Sequence, residues 1–327
     1  MLYPFLFEPL FKERIWGGRQ LESLYHKPLP AGVPIGESWE ICDRPDDQSV
    51  VANGAMAGKS LRYLMEKFGP ELFGPNRPVP TVFPLLVKIL DAQQDLSLQV
   101  HPPAVKAAEL KGEPKTEMWY FTSTTPAAKL YVGLRNGVTP EEFERRTHDG
   151  TVAECFHQIQ VRAGDAMFLP SGRVHALGAG SVLFEIQQNS DTTYRVFDWN
   201  RVDATGKPRD LHIPQSMASI DFADFEPDLI RSGFEAHGPL RIQPLVDDPL
   251  FRVRICELAA ESAVALPLAS FQILGLVSGE LKVKGGAAEA VMKPGQFCLL
   301  PASLRVVEVK ATKDAQFLQV TPGKQGS

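Results

Sequence analysis

The chain has 327 residues, 44% apolar and 22% charged, with a formal net charge of −5. That length allows two domains or one large one, and the composition is that of an ordinary globular protein. An acidic balance gives no basic field to recommend nucleic acid or an anionic membrane as partner, and no apolar run reaches the roughly 18–20 residues a membrane helix needs.

The stretch from Met1 to Pro9 lacks a basic segment and carries two prolines, so a signal peptide is not expected. Pro4 to Trp16 reads as an extended arm, and Trp16 is a candidate pocket wall or core residue. Glu37 to Cys42 reads as the first strand of the body. Leu61, Leu64, Met65 and Phe68 stand at helical spacing within residues 60–73, with Ser60 as N-cap. Cys42, Cys155, Cys256 and Cys298 are far apart with no C-x-x-C pair, which fits free thiols in a cytoplasmic protein.

Leu85 to Leu90 is an apolar run interrupted by Lys88. From Leu96 to His101 the pattern alternates: Leu96, Leu98 and Val100 on one face, Ser97, Gln99 and His101 on the other. The neighbouring runs, including Met118 to Phe121, read as buried strands, so the polar row is expected to line a cavity. Glu117 opens the next strand, and Gln, His and Glu converging on one cavity could hold a divalent metal. Lys115 stands two residues earlier, on the same face if the strand has begun.

Ala104 to Lys111 is a short helix candidate, and Thr139-Pro140-Glu141-Glu142 opens another with a cap, an N1 proline and an acidic first turn. His148 and His157 lie beside such helical pieces and are not expected in a site. Gly164 to His175 reads as turn, buried strand, Pro-x-Gly corner, histidine. This resembles the second motif of the cupin barrels: Gly, five residues, Pro-x-Gly, two residues, His. The candidate ligands are then Gln99, His101, Glu117 and His175. Two His and one carboxylate suit catalytic zinc or non-haem Fe(II), and spacing does not choose between them. Glu185 and Gln187 share one face of the Ser181–Gln188 run, and Arg195 follows Ser190-Asp191.

Residues 234–244 read as a linker, followed by many short strands from Phe251 to Val320. Gly295 to Pro301 parallels Gly164 to Pro170, and the same offset puts Val306 where His175 stands. The second copy is therefore expected to be a cupin without metal, packed on the first. Lys324 to Ser327 is expected to form a frayed tail.

Taken together, these blocks resemble the type I phosphomannose isomerases in their short form. The resemblance rests on Phe11 to Gly18, Ile35 to Glu40, Leu96 to Pro102, Gly112 to Trp119, Gly164 to His175, and Gln188 to Arg195. It implies a mainly β fold of two cupin (jelly-roll) barrels with a few short helices. Residues 1–240 would be the catalytic domain and 241–327 a smaller C-terminal domain without metal. It implies one Zn²⁺ per chain on Gln99, His101, Glu117 and His175. It places Lys115 and Arg195 in the active site, with Glu185 and Asp191 near the reaction centre. Ser97, Lys88 and Lys115 are the expected substrate contacts, the first two through its phosphate. The implied reaction interconverts mannose 6-phosphate and fructose 6-phosphate through an enediol, so the partner is a small phosphosugar, not nucleic acid or membrane. An Fe(II) dioxygenase and a non-catalytic sugar-binding cupin are the alternatives. Oligomeric state is silent in the sequence.

Overall fold

The strand Leu85–Ala92 is buried along its whole length, including Lys88 and Asp91. Such a run is expected where a sheet is covered on both faces. The computed structural model, which describes residues 2–202 and 206–323, shows that arrangement. The fold is mainly β. A six-stranded sheet runs in the order Leu10–Gly18, Ile35–Ile41, Leu85–Ala92, Ser181–Gln188, Glu117–Thr124, Ala166–Leu169. A five-stranded sheet, in the order Tyr194–Phe197, Leu98–Val100, His175–Leu177, Lys129–Leu134, Phe156–Gln160, completes the first half. The two are separate stacked sheets rather than one continuous ring of strands.

Each face of the six-stranded sheet has a partner. Leu90, Trp119, Leu169 and Leu183 form one core with Leu130, Val132 and Leu177 of the five-stranded sheet. On the other face, Val87, Ile89 and Phe184 pack with Val253, Leu318 and Val320 of a nine-stranded C-terminal sheet. Alternation decides the sorting: odd and even positions of one strand enter different cores. Helices Pro140–His148 and Ile213–Ser219 cover the far side of the five-stranded sheet, with Phe143 and Met217 against Leu98 and Val100. Leu96 departs from the expected alternation. It precedes the Leu98–Val100 strand and joins the inner core instead.

The expected helix over 60–73 is Leu61–Phe73, and Ser60 accepts the Tyr63 amide as N-cap. The Thr139 cap accepts the Glu142 amide. Residues 234–244 are not a linker. They carry strand Glu235–His237 and the start of Leu240–Asp247, turning at Gly238 (φ +63°). Glu235–His237 is the edge strand, and this hairpin is largely exposed up to Pro244, so it lacks the apolar alternation that marks a strand in sequence. Residues 324–327, expected as a tail, lie outside the described residues. Among the described residues no helix is long and apolar enough to cross a membrane.

The internal repeat is built bond for bond. Gly164 N–H donates to Phe121 O at 2.8 Å, and Gly295 N–H donates to Leu276 O at 2.8 Å. Both glycines are left-handed, at φ +93° and +77°, where a β-carbon would be strained. The strand order recurs too: Glu235–His237, Leu240–Asp247, Phe251–Leu258, Val306–Pro322, Gln272–Gly285, Phe297–Leu300.

Candidate active site

Register brings the polar row together. Across the five-stranded sheet, Gln99 stands between His175 and Arg195. On the facing sheet, Glu185 stands between Lys88 and Trp119, and Gln187 lies opposite Glu117. His101 and Lys115 come from the chain just beyond and just before strands Leu98–Val100 and Glu117–Thr124. His101, Glu117 and His175 are buried, and their ligand atoms lie within 4.8 Å of one another.

Each imidazole is oriented by a backbone carbonyl. His101 Nδ1 is 2.8 Å from Thr192 O, and His175 Nδ1 is 3.0 Å from Arg173 O. A carbonyl only accepts, so Nδ1 carries the proton and Nε2 presents its lone pair. The two Nε2 atoms lie 3.6 and 3.2 Å from Glu117 Oε1. That oxygen is buried and has no hydrogen-bond partner. The Gln99 amide reaches 3.3 Å from His175 Nε2, and a half-turn of the amide exchanges its nitrogen for its oxygen at that place.

Protonation states suit a metal. Burial, then the Lys115 charge, pushes the His101 imidazole down to about 3, so it is neutral. Burial works against the Glu117 carboxylate, but Lys115 and His101 hold it well below the usual range. Lys115 Nζ donates to Glu117 Oε2 and lies 3.4 Å from His101 Nε2. Two imidazoles, a carboxylate and an amide oxygen are a donor set that a divalent ion accepts.

From this centre a line of alternating charges crosses the cavity floor. Lys115 is 3.8 Å from Glu185, Glu185 is 3.4 Å from Lys88, and Lys88 is 3.4 Å from Glu37. Arg14 closes the line at 2.7 Å from Glu37. Burial raises the Glu185 carboxyl, although Lys115 and Lys88 pull the other way. Glu37 goes down to about 2: burial opposes ionisation, but Lys88 and Arg14 outweigh it. Glu185 also accepts from Trp119 Nε1 at 2.8 Å.

The cavity has a volume of about 370 Å³. Of the residues expected from sequence, Lys88, Ser97, Gln99, Lys115, Glu185, Asp191 and Arg195 line it. Asp191 is exposed, at the rim. Trp16 is a wall, and His148 and His157 lie elsewhere. Arg14, Glu37, Thr193 and Arg209 also line the cavity and were not expected there. Arg14 and Glu37 sit inside stretches that carry the family resemblance; Arg209 has no such signal. Burial, and then Arg209 beside it, lowers Arg195 from its ordinary value, and its Nε is buried without a partner.

Residues 5–129 match the family model described as "Phosphomannose isomerase type I, catalytic domain". A probable mannose-6-phosphate isomerase, GmuF of Bacillus subtilis, is 36% identical over 95% of this chain and 98% of its own. The chain belongs to the type I phosphomannose isomerases. The mannose-6-phosphate isomerase ManA of the same organism is 37% identical over 92% of this chain and 94% of its own. A crystal structure of the Bacillus subtilis mannose 6-phosphate isomerase superposes with a TM-score of 0.89 at 30% identity, covering 98% of this chain and 100% of that one. A zinc-bound mannose 6-phosphate isomerase shares the fold, with a TM-score of 0.77 at 19% identity, covering 98% and 100%. The structure of this phosphomannose isomerase is thus that of its family across both halves of the chain.

Proposed function

We propose that the protein interconverts mannose 6-phosphate and fructose 6-phosphate, with one Zn²⁺ held by Gln99, His101, Glu117 and His175. The observation that carries this reading is Glu117 Oε1, buried and unpartnered between two imidazole Nε2 atoms. A buried carboxylate oxygen without a partner is costly unless a cation completes it. Such an ion supplies Lewis-acid polarisation of substrate oxygens when bound.

The chain's own groups do the rest. An aldose–ketose exchange moves a proton between C1 and C2. Glu185 lines the cavity, and its carboxyl, raised above the usual range by burial, is a candidate to carry that proton. Lys115 and Asp191 are the other proton carriers within reach of the cavity. Arg195, with its unpartnered Nε, complements negative charge that develops on the substrate. Lys88 is answered by two carboxylates, so it holds Glu185 in place while it and Ser97 contact the sugar phosphate. Arg209, half-buried beside Arg195 and paired through Nε and Nη2 with Asp198, adds positive charge at the outer end of the cavity. We likewise propose that residues 1–240 hold this chemistry and that residues 241–327 form a unit without metal.

The test is turnover of mannose 6-phosphate before and after chelation, with zinc added back. Loss on chelation and recovery with zinc supports the reading. A fully zinc-loaded protein that leaves mannose 6-phosphate unchanged overturns it.

A further inference from the structure

Because the six-strand order recurs, residues around the first cavity have positional counterparts in the C-terminal sheet. Lys88 opposes Glu185 in the first sheet, and Arg254 opposes Gln319 in the second. Glu117 opposes Leu169 in the first, and Gln272 opposes Leu300 in the second. Leu169 and Leu300 are equivalent by the repeat itself. Arg254 therefore stands for Lys88, Gln319 for Glu185 and Gln272 for Glu117.

These three counterparts line a second cavity of about 370 Å³, together with Arg252, Thr321 and Asp247. Its chemistry differs in one systematic way. Glu117 and Glu185 are replaced by amides, while the cation at the Lys88 position is kept. The amides are ordered: Arg254 Nε donates to Gln319 Oε1 at 2.7 Å, Gln319 Nε2 donates to Gln272 Oε1, and Gln272 Nε2 donates to Pro267 O at 2.9 Å. Gln272 and Gln319 are buried. Arg252 Nε is buried and has no hydrogen-bond partner. Asp247, the register partner of Arg252, is exposed and is the one acidic residue of the lining. The lining thus carries two guanidinium groups, Arg252 and Arg254, against one carboxylate.

The geometry points to a second, non-catalytic site that binds a small oxyanion-bearing molecule, a phosphate or phosphosugar, at Arg252 and Arg254. Guanidinium groups grip such anions through paired N–H donors. The cavity offers no carboxylate at the positions of Glu117 and Glu185, and Val306 replaces the ligand histidine. It can therefore hold an anion without a metal and without moving a proton.

The experiment is calorimetric titration of the zinc-loaded protein with inorganic phosphate and with glucitol 6-phosphate, which has no carbonyl to isomerise. The wild type is compared with Arg252→Gln. One phosphate equivalent is expected to disappear in Arg252→Gln, with kcat/KM for mannose 6-phosphate unchanged. Loss of the same equivalent for glucitol 6-phosphate identifies the ligand as a phosphosugar; loss for inorganic phosphate alone identifies it as the free oxyanion. Equal numbers of sites in both proteins overturn the proposal. If Arg252→Gln melts early, Arg252→Lys decides. It keeps the charge and loses the fork, so one site should weaken by about tenfold, and unchanged affinity overturns the proposal. Because the readout is binding, failure of the isomerase reading would appear separately, as absent turnover.

Discussion

Lys88 and Glu185 face each other in register on neighbouring strands, with Nζ 3.4 Å from Oε2, and both are buried. Glu37 flanks the same ammonium at 3.4 Å. Removing one partner of a buried pair leaves the other charge uncompensated, at a cost of about 3–5 kcal/mol. Lys88→Met should therefore lose about that much in urea denaturation, while Lys88→Met combined with Glu185→Gln should lose less than the two single changes summed. Strict additivity would mean that the pair is not coupled.

Glu185 gives a pH signature. Its carboxyl is raised above the ordinary 4.5, chiefly by burial. A base works ionised, so activity should fall as pH drops through the raised value, placing the acid limb above 4.5. Glu185→Gln should lower kcat by about 10²–10⁴-fold without changing bound zinc. Near-normal kcat in a zinc-loaded Glu185→Gln protein would take the proton from Glu185 and leave Lys115 or Asp191.

Glu37 carries the opposite sign. Its folded value is about 2 against an ordinary 4.5. Stability from this group is fully present above 4.5 and is lost as pH falls from there toward 2. The gap corresponds to roughly 3 kcal/mol at neutral pH. Denaturation curves between pH 5 and pH 2.5 should show Glu37→Gln less sensitive to acid than the wild type. Parallel curves would remove Glu37 from the acid response.

What was legible in the sequence follows from where its information lies. Ser97, Gln99 and His101 announce themselves by alternation within one strand. His175 announces itself by the Pro-x-Gly corner before it. Both signals are local, and the structure brings Gln99, His101, Glu117 and His175 to one place. Glu37 and Arg14 are different. Their meaning comes from register: Trp39 opposes Lys88, and Lys88 opposes Glu185, across strands far apart in the chain. No local pattern encodes that pairing. Arg209 was hidden for a related reason. It lies outside any regular strand and reaches the cavity only because Arg195 and Asp198 bring its loop there. The hairpin at residues 234–244 resembles a linker in sequence because its edge strand Glu235–His237 and the start of Leu240–Asp247 are mostly exposed and carry no regular core-facing row.

Lys115 provides the sharpest test of the metal centre. It does not belong to the proposed ligand set, yet it donates to the second oxygen of Glu117 while Oε1 faces the imidazoles. A donor behind a ligating carboxylate fixes its rotamer and its charge, and losing such a partner typically costs 10–100-fold in metal affinity. Lys115→Met should therefore bind zinc roughly 10–100-fold more weakly in competition with a chelator, yet still bind one equivalent at saturation. His175→Ala should fail to reach one equivalent under the same conditions, because it removes a donor rather than a support. Zinc should raise the melting temperature of the wild type most, of Lys115→Met less and of His175→Ala least, since a ligand stabilises the fold in proportion to the logarithm of its occupancy term. If His175→Ala bound one zinc as tightly as the wild type, the ligand set would be wrong. If Lys115→Met did so, Lys115 would have no hold on Glu117, and its place in the cavity would have to be explained by contact with the substrate alone.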